Sequence, residues 1–317
     1  MEAGLAFRGR RVEFLSRNLM ENKRAPWWLW SNLLSLDAPL IALAWAWMFS
    51  KAWGVRSLPW ELWVTLGVSV WIVYALDRII DARRSTNPAD LETRHHFHKK
   101  YARVFMVGIF IGGLCCLYSV LFSLAQTVLQ YGLFVMLCSA VYFVVTLNRP
   151  RSGHAGIGKN LVAGLTFAYG ASAGVHAYSP VLPFGDMVFS SEVLLFAAIC
   201  VINMTAIDFW QLEGEEDDDA AAVLNLGTLL IGGIAMFIYM STLKRESIFF
   251  NEDFYHEQAF YKPFAVGLLV GAASLFLLNQ ARRRIEADAY RVLVDVAVAA
   301  PVFVFWVMIS IDGDPRT

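Results

Sequence analysis

Apolar residues run through this chain in long blocks, with none of the alternation of a half-buried strand and little of the striping of a soluble helix. A helix that crosses a bilayer needs about 20 mostly apolar residues. Nine stretches meet that need, at roughly 27–50, 60–81, 103–124, 126–147, 159–179, 188–208, 221–243, 262–280 and 291–311. The breaks between them carry proline, glycine or charge: Arg149-Pro150-Arg151-Ser152-Gly153, Ser179-Pro180, and the acidic run Glu213 to Asp219. In lipid, every backbone polar group has to pair within its own segment or in a closed barrel. Without strand alternation, that leaves helices. The pattern predicts an all-α polytopic membrane bundle of about nine transmembrane helices over residues 27–311. A polar, basic segment, 1–26, precedes it and a short tail, 312–317, follows.

Composition agrees with the pattern. Hydrophobic residues make up 57% of the 317 positions and charged residues 17%, against about 45–50% and 25% in soluble domains. The lipid bilayer is therefore the expected partner, and a net charge of −1 gives no sign of nucleic acid. The four cysteines, Cys115, Cys116, Cys138 and Cys200, lie inside apolar runs without metal-ligand spacing, which argues against a disulfide framework. Residues 1–26 lack the small-residue cleavage site of a signal peptide and read as a cytoplasmic segment. With nine spans, the side that carries the N-terminus also receives 20 of the 26 lysines and arginines. The positive-inside rule then predicts a cytoplasmic N-terminus and an external C-terminus, an arrangement that suits a bacterial inner membrane.

Two acidic stretches fall at the ends of spans two and six, on that same predicted cytoplasmic side. In the first, Asp77 and Asp81 are four residues apart and share one helix face. Like charges at that spacing repel, and charge at a membrane is costly. A divalent cation relieves both penalties, and Mg²⁺ is commonly held by one or two carboxylates together with phosphate oxygens. Arg84, Arg94, Lys99 and their neighbours follow, a cluster suited to a polyanion. In the second stretch Asp208 ends an apolar run and Gln211, Glu213, Gly214 and Glu215 come after it. Two more acids, Asp37 and Asp295, lie inside spans one and nine, where a polar structural contact is the expected role. Pro39 is expected to kink the helix beside Asp37. Glu192 is expected at a span end facing headgroups. Glycines in spans three and eight, among them Gly108, Gly112, Gly113, Gly267 and Gly271, have the small-residue spacing of close helix contacts.

Nine spans, an Asp-x-x-x-Asp ending span two and an acidic Glu-Gly motif after span six resemble the UbiA superfamily of intramembrane prenyltransferases. The likeness extends over residues 25–311, and Lys159-Asn160-Leu-Val-Ala-Gly164 through Gly170 resembles the family's fifth-span region. The resemblance implies Mg²⁺-dependent transfer of a prenyl group from a polyprenyl diphosphate to a lipophilic, often aromatic acceptor within the membrane. It assigns the metal-binding role to Asp77, Asp81, Asp208, Glu213 and Glu215, with Asp77, Asp81 and Asp208 as the catalytic aspartates. It assigns diphosphate contacts to Arg84, Arg94, Lys99, Arg149, Lys159 and Gln211. Three positions depart from the motifs: Val73 stands where the family has Asn, Gln211 where it often has Asp, and Glu215 where it has Asp.

Other readings remain open at this level. A UbiA-like protein could bind a prenyl lipid or quinone without turnover, which the exchanges at Val73 and Gln211 favour. An ion-coupled transporter could use the acidic pairs as an ion site, although no inverted repeat is evident. A CDP-alcohol phosphotransferase also uses membrane aspartates, but the glycine its motif requires is absent at position 73.

Overall fold

In the computed structural model, residues 26–84, 93–148, 156–179, 183–210, 215–248 and 260–312 are described, without the side chains of 93–95, 215–218, 244–248, 287 and 312. Among these residues there are helices and no strands. After one helical turn at Trp27–Leu29, the helices are α1 (Trp30–Leu33), α2 (Asp37–Ala52), α3 (Trp60–Arg84), α4 (Thr93–Lys100), α5 (Ala102–Phe122) and α6 (Gln126–Asn148). There follow α7 (Ile157–His176), α8 (Phe184–Val188), α9 (Ser191–Phe209), α10 (Glu215–Ile248), α11 (Tyr261–Ala281) and α12 (Ala287–Asp312).

Seven of these stretches are long and apolar enough to cross a membrane, or eight if the bent pair at the start of the bundle counts as one span. The pair is Trp27–Leu33 and α2, which meet at 83°. The bend lies at Ser35, whose φ of 58° puts it in the left-handed region that L residues seldom occupy. The kink expected at Pro39 is therefore displaced. Pro39 sits in the first turn of α2, where its missing N–H removes no intrahelical bond.

Of the nine expected spans, the fifth is the one that falls short on hydropathy. Helix α7 has 20 residues, but Lys159, Asn160, Thr166, Ser172, His176 and four glycines dilute its apolar character. Its position explains this composition, since it packs against α2, α3, α6 and α9 in the middle of the bundle and never has to satisfy lipid along its whole length. Helix α5 is the opposite case: of its residues only Phe105 is buried, and Phe110, Ile111, Leu114 and Leu117 are exposed. An apolar surface of this kind is what a bilayer solvates.

The tightest contacts are made where glycine lets two backbones meet. A Cβ on Gly164 of α7 would lie 2.6 Å from Val201 Cγ2 and 2.9 Å from the Ala197 carbonyl oxygen of α9. One on Gly267 of α11 would lie 2.6 Å from the Pro301 carbonyl oxygen of α12. Gly108 and Gly112 likewise sit against α3 side chains, whereas Gly113 has no atom near it.

The core is aromatic. Trp45 of α2 is fully buried and stacks on Phe196 of α9, with ring centroids 4.0 Å apart. Its indole N–H donates to the Val298 carbonyl on α12 at 2.9 Å. Since lipid is as apolar as the side chains, association here is driven by packing and by such hydrogen bonds, not by water exclusion. An aromatic pair adds about 0.5–1.5 kcal/mol. This block ties α2, α9 and α12 together at one level of the bundle. Elsewhere along the same helices, polar residues replace the rings.

Candidate functional site

Those polar residues, with apolar ones between them, line a cavity of about 270 Å³ bounded by α2, α3, α6, α7, α9 and α12. Each helix contributes one face, and the spacing shows why. Helix α3 presents Val73, Tyr74, Asp77, Arg78 and Asp81; α7 presents Lys159, Asn160, Ala163, Thr166, Phe167 and Gly170; α9 presents Cys200, Asn203, Met204, Ile207 and Asp208. Positions three and four apart fall on one side of a helix. Ser139 and Tyr142 come from α6, Asp37 from the start of α2, and Asp295 from α12.

The structure therefore brings Asp77, Asp81, Asp208 and Lys159 to one cavity. Asp77 is buried and accepts a hydrogen bond from the Tyr142 hydroxyl at 2.5 Å. Asp81 forms an ion pair with Lys159 at 3.7 Å. Asn160, next to Lys159, donates from Nδ2 to Asp208 at 2.9 Å and to the Thr205 hydroxyl at 3.2 Å. Thus α7 supplies a neighbour to the acids of both motifs. Asp81 lies in the last turn of α3, Lys159 in the first turn of α7 and Asp208 in the last turn of α9. Their meeting at one end of the bundle follows from the up-and-down order of the helices.

A second cluster was not legible from motif spacing. Asp37 Oδ2 accepts from Asn32 at 3.0 Å and from the Tyr74 hydroxyl at 3.1 Å. Arg78 donates to that hydroxyl and lies against the Tyr74 ring. Arg78 is buried and faces the cavity. Its guanidinium and the Lys159 ammonium are the two cationic groups among the described lining residues, facing five aspartates. A buried group with so many carboxylates in low dielectric favours cations strongly.

Other sequence-expected residues lie elsewhere. Arg84 donates to the Leu147 carbonyl near the end of α6 at 2.7 Å and does not line the cavity. Lys99 is exposed on α4, away from the cavity lining. Arg149, Gln211 and Glu213 lie outside the described residues, as do the side chains of Arg94 and Glu215. Val73 lines the cavity one turn before Asp77. Glu192 differs from expectation: it is buried and accepts from Ser190 and Ser191 at the start of α9.

Among the described residues, no group of three or more His, Cys, Asp or Glu side chains is placed to hold a metal ion. Asp77 and Asp81 on α3 and Asp208 on α9 are hard oxygen donors that line the same cavity from two helices. One or two of these carboxylates together with phosphate oxygens suit Mg²⁺, which takes few protein ligands and keeps other positions for water or substrate.

No protein-family model matches the chain, and no curated protein and no solved structure matches it.

Proposed function

We propose that the chain is a Mg²⁺-dependent intramembrane prenyltransferase, which moves a prenyl group from a polyprenyl diphosphate to a lipophilic acceptor. The observation that carries this reading is the joint placement of Asp77, Asp81, Asp208 and Lys159 in one cavity whose remaining wall is largely apolar. Asp77, Asp81 and Asp208 would hold Mg²⁺ at the diphosphate. Bound there, the metal supplies Lewis-acid neutralisation of the leaving group. Lys159 and Arg78 add positive charge beside the diphosphate oxygens. Tyr142 orients Asp77, and Asn160 orients Asp208. Leu66, Val70, Phe167 and Met204 offer the prenyl chain an apolar wall and exclude water from the allylic carbon. In the reaction the bond from that carbon to the diphosphate oxygen breaks, the acceptor bonds to the carbon, and the acceptor gives up a proton. The predicted N-in topology puts the acidic end of the cavity on the cytoplasmic side of a bacterial inner membrane.

A second reading is a protein that binds a prenyl lipid or quinone without turnover. It draws on Val73, an apolar residue on the cavity wall where the family has a polar one. The deciding experiment is binding of geranylgeranyl diphosphate to the purified chain in detergent, with Mg²⁺ and with a chelator. Tight binding that the chelator abolishes supports the transferase. Binding indifferent to the chelator favours the second reading, and absence of binding overturns the transferase reading.

A further inference from the structure

The segment Trp27–Leu33, which ends in α1, meets α2 at 83°. Where α2 crosses the bilayer, this segment lies along its surface. Trp27 is 86% exposed and Trp30 45%, and Leu34 and Leu36 are exposed beside the bend. Indole rings, apolar in body and polar at the N–H, favour the depth of the lipid headgroups.

Helix α4 joins the segment at the same end of the bundle. Trp30 meets Phe97 edge to face with ring centroids 6.3 Å apart, and Phe97 lies 4.7 Å from Tyr101. Behind these rings the buried Ser35 and His98 share a hydrogen bond of 2.9 Å. The Trp71 indole of α3 donates to the Leu34 carbonyl at 3.0 Å. Two stretches 63 residues apart in the chain are thereby held as one platform. Cations border it: Lys99, Lys100 and Arg103 are exposed. Lys100 Nζ stands 5.3 Å from the centre of the Tyr101 ring, so positive charge and aromatic surface adjoin.

A phospholipid matches both features, with its phosphate at the cations and its glycerol and first acyl carbons on the rings. A free phosphate would leave the tryptophans uncovered. A choline headgroup would bring its own cation to the lysines, whereas a headgroup with net negative charge does not. We propose that Trp30, Tyr101, Lys99, Lys100 and Arg103 form a binding site for an anionic phospholipid in the leaflet on this side of the membrane. The site does not depend on the transferase reading.

The test is native mass spectrometry of the full chain, released from detergent micelles that hold equal amounts of phosphatidylglycerol and phosphatidylcholine with the same acyl chains. The unaltered chain should retain phosphatidylglycerol over phosphatidylcholine by at least about tenfold. Lys99→Gln combined with Lys100→Gln should cut that preference by about tenfold. Arg283→Gln combined with Arg284→Gln removes as much charge from another basic turn on the same predicted side, and should leave the preference intact. Trp30→Ala should lower retention of both lipids and keep the preference. Equal retention of the two lipids by the unaltered chain overturns the proposal. So does an equal loss from the two double variants, which would mean diffuse surface charge, and so does retention that Trp30→Ala leaves unchanged. Lys99 and Lys100 are exposed, outside the core. Should their double variant still fail to elute as a single species, Lys100→Gln alone decides: an undiminished preference overturns the site.

Discussion

Asp77 holds two positions at once, as a hydrogen-bonded partner of Tyr142 and as a carboxylate on the cavity wall. If it grips a metal-bound diphosphate, Asp77→Ala should abolish Mg²⁺-dependent binding of geranylgeranyl diphosphate, and Asp208→Ala should do the same. Unchanged binding in either variant would remove that aspartate from the metal site. Tyr142 is a positioning residue, so its loss should be graded. Tyr142→Phe should raise the Mg²⁺ concentration needed for diphosphate binding by about 10–100-fold while binding at saturating Mg²⁺ survives. A purely structural role would lower both together. Val73 faces the same space one turn away, so Val73→Asn adds an amide to the wall and should tighten diphosphate binding. Asp77, Asp81, Asp208 and Lys159 were legible in the sequence because charge in an apolar span is conspicuous. Arg78 was not singled out, because one more cation in a basic loop region looks like topology bias until its burial against Tyr74 is seen.

At the scale of elements, α7 decides the shape of the cavity. It presses a glycine face on α9 and turns Lys159 and Asn160 toward the acids of both motifs. Gly164→Ala puts a methyl group against Val201 and the Ala197 carbonyl, and neither helix can yield without moving the other. We expect a loss of about 1–3 kcal/mol, read as a lower melting temperature in detergent. Gly113→Ala on α5 meets no atom within 4 Å and serves as the control. An equal effect of both would show that close approach is not what Gly164 provides. Hydropathy found α5 easily and α7 with less support, for one reason. A lipid-facing helix must be apolar all round, whereas a helix surrounded by other helices can carry glycine, serine, lysine and asparagine, which its neighbours satisfy. The same reasoning accounts for Ser35. Proline is a visible signal for a bend, but a serine with φ of 58° carries none.

Over the whole molecule, the apolar band on α5, α6 and α10 is a surface for lipid, while charged and polar side chains gather in the cavity between the inner helices. Charge distribution gives the orientation to be tested. A tag at the N-terminus should be protected in sealed right-side-out vesicles, and labelling from outside would reverse the assignment. The arrangement also links regions far apart in the chain. Asn203 meets Asp295 across 92 residues, Trp45 meets Val298 across 253, and Tyr142 meets Asp77 across 65.

What the sequence determined by itself was the solvent and the element. Long apolar blocks can only be helices in lipid, and acids at the ends of spans two and six are costly enough to stand out. Nothing in the residue pattern could decide which faces of six helices meet. That depends on where glycine lets backbones close and where bulky rings such as Trp45 and Phe196 fill the space between them. Tertiary packing alone placed Asp37, Arg78 and Asp295 in the same cavity lining as the motif aspartates. Inside a membrane every buried polar atom needs a partner, and only the three-dimensional arrangement says which partner each one meets.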